Sequence, residues 1–126
     1  MKSFIAAGIA ALFLAVGAVG YAFYVDNTAK LLAGEVERVE EAVRRADFDG
    51  AIERAAMLDE TIERRKTMLC AIVDHKEIYE IKRSLGELGA FLEKNDDAES
   101  LAHCAAISSI VTRISENTMP YIFNIL

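Results

Sequence analysis

The chain begins with a long apolar segment that carries no charge. Residues Phe4 to Val25 run for 22 positions without an acidic or basic side chain. As a helix, this segment is roughly 33 Å long, enough to cross a hydrocarbon core of about 30 Å. The rest of the chain has no comparable run and is charged, acidic and helically periodic. The pattern predicts a helical domain, residues 27–126, attached to a membrane by an anchor, residues 1–26.

A cleaved secretory signal is the competing interpretation of this segment. Gly20 and Ala22 place small residues two apart, as cleavage requires, but the apolar run is longer than the roughly 7–15 residues usual in signals. Retention is therefore the preferred prediction, and secretion after cleavage is the alternative. Lys2 precedes the segment and the next basic residue is Lys30, so the positive-inside rule predicts a cytoplasmic N-terminus. The predicted location is the cell membrane, with a single pass and an extracytoplasmic domain.

Apolar residues recur at helical spacing through the rest of the chain. Helices are predicted at about residues 27–46, 50–71, 75–94 and 97–117, and the first is either separate from the apolar segment or continuous with it. Because the connections are short, neighbouring helices must be antiparallel. The predicted fold class is all-α: an N-terminal transmembrane helix followed by a small antiparallel up-down bundle of about four helices. The clearest core stripe is that of the third helix, Ile78, Ile81, Leu85, Leu88 and Leu92.

Acidic residues mark the starts of the predicted helices. Asp49 is a candidate N-cap for the second helix. Asp74 and Asp96 are each followed three residues later by a glutamate, which is the spacing of a capping box. Residues 46–51 also resemble the turns of tetratricopeptide-type helical hairpins, and residues 95–98 resemble them less closely. A small solenoid-like stack is therefore the lesser fold alternative.

Composition and motifs argue against several classes of function. From Asp26 onward there are 20 acidic and 13 basic residues, whereas nucleic-acid-binding domains carry basic surfaces, so no nucleic acid is expected as a partner. Counting along the third helix separates Cys70 from Cys104 by roughly 13 Å, too far for a disulfide or a shared metal. His75 adjoins a helix start, which favours a structural bond within that turn. We expect no enzymatic activity, no catalytic residue, no cofactor and no metal site.

The segment from Met119 to Leu126 is unusually apolar. In one interpretation it folds back across the end of the bundle, because Pro120 cannot continue the fourth helix smoothly. In the other it is an exposed docking peptide for a partner or for the lipid surface. Folding back is preferred, since burial of each large apolar side chain is worth about 1.5–3 kcal/mol.

Two short stretches resemble a known bacterial family. The pattern His75-x-Glu77-Ile78, with the apolar stripe that follows it, and the terminal Asn124-Ile125-Leu126 are similar to the domain-of-unknown-function 4363 proteins. The resemblance covers nearly the whole chain and implies a small anchored helical protein with no established catalytic activity. The six named residues are therefore the candidate structural or interaction residues. The family often has an acidic residue at the position of Tyr79.

The leading functional prediction is a membrane-tethered, non-enzymatic interaction or scaffold protein of unknown process. It is based on an anchor, a compact bundle and no convergent polar site in the sequence. A protein partner is expected in addition to the membrane contact of Phe4 to Val25, and both another membrane protein and a second copy of this chain fit that expectation. The alternative is an extracytoplasmic sensor, or a module that binds a small ligand between its helices.

Overall fold

The structure is a computed structural model that describes residues 1–71 and 73–125, and the side chains of residues 1–71 and 73–117. Within these residues, the secondary structure consists of four α-helices, with no β-strand. The helices are α1 (Lys2–Arg44), α2 (Phe48–Leu69), α3 (His75–Glu93) and α4 (Asp97–Ile125). The predicted all-α bundle is therefore confirmed.

The apolar segment and the first bundle helix form one continuous helix, α1, of 43 residues. Residues up to Gly20 are exposed except for half-buried Ala15 and Ala18, and the core begins at Ala22. The end of the predicted anchor segment therefore packs inside the bundle. The N-terminal part of α1 is long and apolar enough to cross a membrane, a property that it shares with signal sequences. No break in α1 marks the boundary at residue 26, which stays a prediction.

The helices close into an antiparallel ring. α1 packs against α2, α2 against α3, α3 against α4, and α4 returns to α1. Ser115 Oγ of α4 donates a hydrogen bond to Asp26 Oδ1 of α1, 3.0 Å away, near the end of the bundle that adjoins the apolar segment. Because repeats in a solenoid contact only their neighbours, this closure excludes the solenoid-like alternative.

The core follows the predicted apolar stripes. The stripe of α3 is buried along its whole length, and Ile81, Leu88 and Leu92 are fully enclosed. On α1 the buried row runs at alternating spacings of three and four residues, which keeps it on one face of the helix. In chain order, the members of this row are Ala22, Val25, Ala29, Leu32, Val36, Val39 and Val43.

The α1–α2 and α3–α4 turns have the same backbone structure. Ala46 and Asn95 adopt left-handed conformations, with φ of 59° and 56°. The next residues, Asp47 and Asp96, donate their backbone N–H groups to carbonyls in the last turn of the preceding helix, at 2.9 and 3.0 Å. This is a Schellman ending. The similarity between residues 46–51 and 95–98 therefore reflects equivalent turns in a closed bundle.

Aspartates cap the starts of the helices. Asp47 Oδ1 accepts a hydrogen bond from the backbone N–H of Gly50 at 3.0 Å, so the predicted N-cap role of Asp49 is wrong. Asp49 instead lies in the first turn of α2, where a negative charge favourably meets the helix dipole. Asp74 and Asp96 are N-caps as predicted, because each carboxylate accepts a backbone N–H bond from the turn that follows.

The backbone does not turn back at Pro120. α4 continues through this residue to Ile125, so the predicted turn at Pro120 is wrong. Proline lacks the N–H that would bond to the carbonyl of Glu116, but its fixed φ near −65° is itself helical. The residue thus removes one hydrogen bond without ending the helix.

Candidate functional site

A groove of about 520 Å³ opens between the last turns of α2 and the first turns of α3. It lies at the bundle end that adjoins the apolar part of α1, because the Tyr21 hydroxyl of α1 bonds to the last carbonyls of α2. Its size falls within the range of about 300–1,000 Å³ that is usual for ligand sites. The lining mixes charged, aromatic and apolar groups: Glu63, Lys66, Cys70, His75, Tyr79 and Lys82.

The charges that line the groove are paired with one another. Lys82 Nζ lies 2.5 Å from Asp59 Oδ1 and 2.6 Å from Glu63 Oε1. Burial by itself lowers the pKa of Lys82, but hydrogen bonds to both carboxylates outweigh it and raise that pKa above its ordinary value. Lys66 lies 3.2 Å from Glu63, whose pKa is lowered first by Lys82 and then by Lys66. The charged side chains of the groove therefore form an ion-pair network that joins α2 to α3.

The groove also has apolar and aromatic lining residues. Ile78 belongs to the core and is 4% exposed, whereas Tyr79, next to it in sequence, is 75% exposed at the rim. Cys70 contributes a free, half-buried thiol. A groove that is lined by both charged and apolar side chains suits a bound molecule or peptide that itself has polar and apolar parts.

The three site residues at the start of α3 lie in different surroundings. His75 is exposed at the groove, and among the described residues its side chain makes no hydrogen bond, so the expected bond within the turn is not observed. Glu77 accepts a hydrogen bond from Arg113 of α4 at 2.8 Å, instead of completing the capping box. Ile78 packs in the core. The pattern thus joins a groove residue, an interhelical ion pair and a core residue, and the assigned roles stay predictions.

The other three candidate residues lie at the end of α4. Asn124 and Ile125 are in its last turn, but their side chains are outside the described part of the chain, and Leu126 lies outside it altogether. Because α4 is antiparallel to α1, this end of α4 is at the same end of the bundle as the groove.

The other side chains that could bind a soft metal ion, those of His103 and Cys104, do not line the groove. Cys104 is fully buried, and burial raises the pKa of its thiol to about 12. His103 is held by the Glu99 carbonyl and the Glu87 carboxylate, each 2.8 Å from a ring nitrogen. The hydrogen bond to the Glu99 carbonyl is the largest cause that raises the pKa of His103; burial opposes it, and the Glu87 carboxylate raises the pKa further, so that the net shift is upward. Within residues 1–71 and 73–125, no group of three or more potential ligands is placed to hold a metal ion.

Residues 19–125 match the model of a family described as Domain of unknown function (DUF4363). The chain belongs to this family. No curated protein and no solved structure matches it. The match begins just before Ala22, the first core residue, and so includes the bundle part of α1 together with the other three helices.

Two contacts of this DUF4363 protein were not predicted from its sequence, and both join α1 to α2 beside the groove. The Tyr21 hydroxyl donates hydrogen bonds to the carbonyls of Met68 and Leu69, at 2.9 and 3.0 Å. The same two carbonyls also accept backbone N–H bonds from Ala71 and Val73, so the hydroxyl joins α1 to the turn that ends α2. Nothing in the sequence distinguishes Tyr21 from the other aromatic residues near the end of the apolar segment.

Arg65 makes the second contact. Its Nη1 donates a hydrogen bond to Thr28 Oγ1 at 2.9 Å, and its guanidinium carbon lies 5.6 Å from the centre of the Tyr24 ring. Arg65 occupies a position at which the spacing of the apolar stripe on α2 predicts an apolar residue. A charged residue at such a position indicates a specific polar partner. The partner itself, 37 positions away in sequence, becomes evident only in the folded chain.

Proposed function

We propose that this DUF4363 protein is a membrane-tethered, non-enzymatic helical interaction module. The observation that carries this proposal is the continuity of α1. The same helix is apolar and almost wholly exposed up to Gly20 and forms the core of the bundle from Ala22 onward. Because no flexible joint separates the two parts, insertion of the apolar part holds the bundle directly against the membrane surface.

The distribution of charge supports this orientation. The bundle half nearer to the apolar segment (residues 26–34, 60–83 and 108–117) contains seven acidic and eight basic residues. The remote half (residues 35–59 and 84–107) contains 13 acidic and five basic residues. Since anionic lipid surfaces repel acidic groups within about one Debye length, the bundle presents its less acidic end to the membrane.

Retention of the anchor fits this arrangement better than secretion does. Cleavage after Ala22 would remove Tyr21, whose hydroxyl bonds to the end of α2. Lys2 on the other side of the apolar segment favours a cytoplasmic N-terminus under the positive-inside rule. The proposed location is therefore the cell membrane, with one pass and the bundle outside the cytoplasm.

Protease treatment of intact cells tests this location. The bundle should be digested from outside, while mass spectrometry should find residues 1–20 still joined to bundle peptides in untreated membranes. A bundle that is protected until the cells are lysed would overturn the orientation. Release of a chain that lacks residues 1–20 into the medium would instead show a cleaved signal.

The partner is proposed to be a protein, either another membrane protein or a second copy of this chain. Exposed apolar side chains near the membrane end of the bundle, Met68 and Tyr79, offer contact area there. Cross-linking in membranes and purification in mild detergent should recover one stoichiometric partner. A matched variant, Tyr79→Ser with Met68→Ser, should lose that partner. Full recovery with this variant would remove the membrane end of the bundle as the interface.

The α2–α3 groove favours a second candidate function, a module that binds a small amphipathic ligand. A thermal-shift screen of the detergent-solubilised chain would test it, with Tyr79→Ser as the groove variant. Lys94→Ala is the matched control, because Lys94 is exposed at the opposite end of the bundle. A ligand that stabilises the wild type and the control but not the groove variant would support this function. Equal stabilisation of all three would place the binding elsewhere.

A further inference from the structure

The row of core residues on α1 continues into the apolar segment. Ala15 and Ala18 precede Ala22 and Val25 at the same alternating spacing, which puts them on the same face of the helix. They are half-buried, whereas every other residue from 1 to 20 is exposed. Other alanines of that stretch, such as Ala11, are exposed as well, so the covering is not an effect of small side chains. This is the pattern expected where another element lies over that face of α1.

The register of α4 identifies that element. Ser115 of α4 lies opposite Asp26 of α1, and α4 continues for ten more residues to Ile125. At 1.5 Å per residue this adds about 15 Å, which brings the end of α4 to about the height of Val16. The other two helices end or begin near the height of Tyr21. Among the described elements, α4 is thus the one that reaches Ala15 and Ala18.

The part of α4 that passes beyond the bundle has the composition of a membrane segment. No charged residue follows Glu116, and five of the residues from Met119 to Ile125 are large and apolar. Exposure of such side chains to water is unfavourable, because it leaves their apolar surface unburied. The same segment contains Pro120 within its helix, and proline is more frequent in transmembrane helices than in soluble ones.

The depth of this segment follows from the proposed anchor. A hydrocarbon core of about 30 Å takes up about 20 residues of helix, so a core that starts at Phe4 ends near Tyr24. By the Ser115–Asp26 register, α4 crosses this level at about residue 117. The remaining turns of α4 then run inside the membrane, beside the part of α1 between Val16 and Tyr24.

We propose that the last turns of α4, from about residue 118 to Ile125, are a second membrane-inserted element. In this arrangement the backbone of α4 runs beside the Ala15–Ala18 face of α1 and is otherwise surrounded by lipid acyl chains. This inference rests on the proposed membrane anchor. Its consequence is attachment at two points, which prevents the bundle from rotating about α1 and holds the α2–α3 groove against the membrane.

Depth-dependent fluorescence quenching of the full chain tests this proposal. A background without native thiols, Cys70→Ser with Cys104→Ala, receives one new cysteine at a time and is labelled with a small fluorophore. The three positions are Leu12 in the proposed span, Phe123 in the α4 extension and Ser109, an exposed residue of α4 within the bundle. Each labelled chain is reconstituted into phosphatidylcholine–phosphatidylglycerol vesicles that contain lipids with a nitroxide on the acyl chain.

The expected result is several-fold stronger quenching at positions 12 and 123 than at position 109. Quenching at position 12 without quenching at position 123 would overturn the insertion of α4 and leave the anchor standing. No quenching at either position would overturn both. A label at position 123 that is shielded from a water-soluble quencher and also unquenched by the lipids would show a protein contact there, and this too would overturn the proposal. A label at Ile125 is the second variant, in case the change at Phe123 disturbs the helix.

Discussion

Replacing Arg65 with methionine should weaken the joint between α1 and α2 beside the groove. In the wild type, the guanidinium donates a 2.9 Å hydrogen bond to the Thr28 hydroxyl and lies 5.6 Å from the Tyr24 ring centre. Thr28 is almost wholly buried, at 1% exposure. Methionine retains most of the apolar stem but has no donor and no charge, so the variant removes these two interactions and little else.

The magnitude follows from the two contacts. A hydrogen bond from a charged donor contributes about 1.5–3 kcal/mol, and a cation–π contact at a partly exposed site contributes about 0.5–1 kcal/mol. The Thr28 hydroxyl can recover part of this energy by bonding to a carbonyl one turn earlier in its own helix. We therefore expect Arg65→Met to lower the free energy of unfolding by about 2 kcal/mol, near the low end of the sum.

Urea unfolding of the full chain in detergent micelles, followed by circular dichroism, measures this loss. Arg64→Met is the matched control, because Arg64 is exposed and donates only a long hydrogen bond of 3.4 Å to Thr61 within α2. The loss of unfolding free energy in this variant should stay below about 0.5 kcal/mol. A double-mutant cycle with Thr28→Val should give a coupling energy of about 1 kcal/mol or more. Equal losses for the two arginine variants, or a coupling energy near zero, would refute the reasoning.

Three further outcomes follow from the described contacts. Leu88→Ala, at a fully enclosed core position, should lower the free energy of unfolding in urea by about 2–5 kcal/mol. Gly50→Ala should lower the free energy of unfolding by about 1 kcal/mol, because a Cβ there would collide with the N-cap carboxylate of Asp47. Gly86→Ala, in open space on α3, should instead raise it by about 0.5–1 kcal/mol, and thermal melts of both variants measure the difference. The raised pKa of His103 means that its stabilisation is present below the unfolded pKa of about 6.5 and is lost as the pH rises through the folded pKa. His103→Gln should therefore flatten the dependence of the melting temperature on pH in that window, and an unchanged pH profile would remove the histidine as its source.

Part of the candidate site was readable from the sequence. The resemblance named His75, Glu77 and Ile78, and the groove does include His75 and Ile78. Lys82 and Tyr79, which line the groove from α3, could not be assigned to a groove in advance, because surface lysines and tyrosines on a helix are common. Their importance depends on the position of α2 relative to α3, which involves residues about 20 positions apart in sequence.

The sequence by itself determined the four helices, their antiparallel order and the core face of α3. Helical hydrogen bonds are local, and the burial of one face leaves a regular spacing of apolar residues that can be read directly. Short connections then leave few possible arrangements. The fold class and most of the core therefore required no knowledge of the tertiary structure.

Only the tertiary structure decided where the bundle begins and how far α4 extends. Ala22 and Val25 look like any other residues of an apolar segment, and they become core residues only because α2 and α4 reach their level. In the same way, Pro120 signals a helix end locally, yet α4 continues beyond it. Both results depend on the axial register between helices, which is set by contacts such as that between Ser115 and Asp26, 89 positions apart. No local pattern encodes a register of that kind, since it follows from the packing of complete helices against one another.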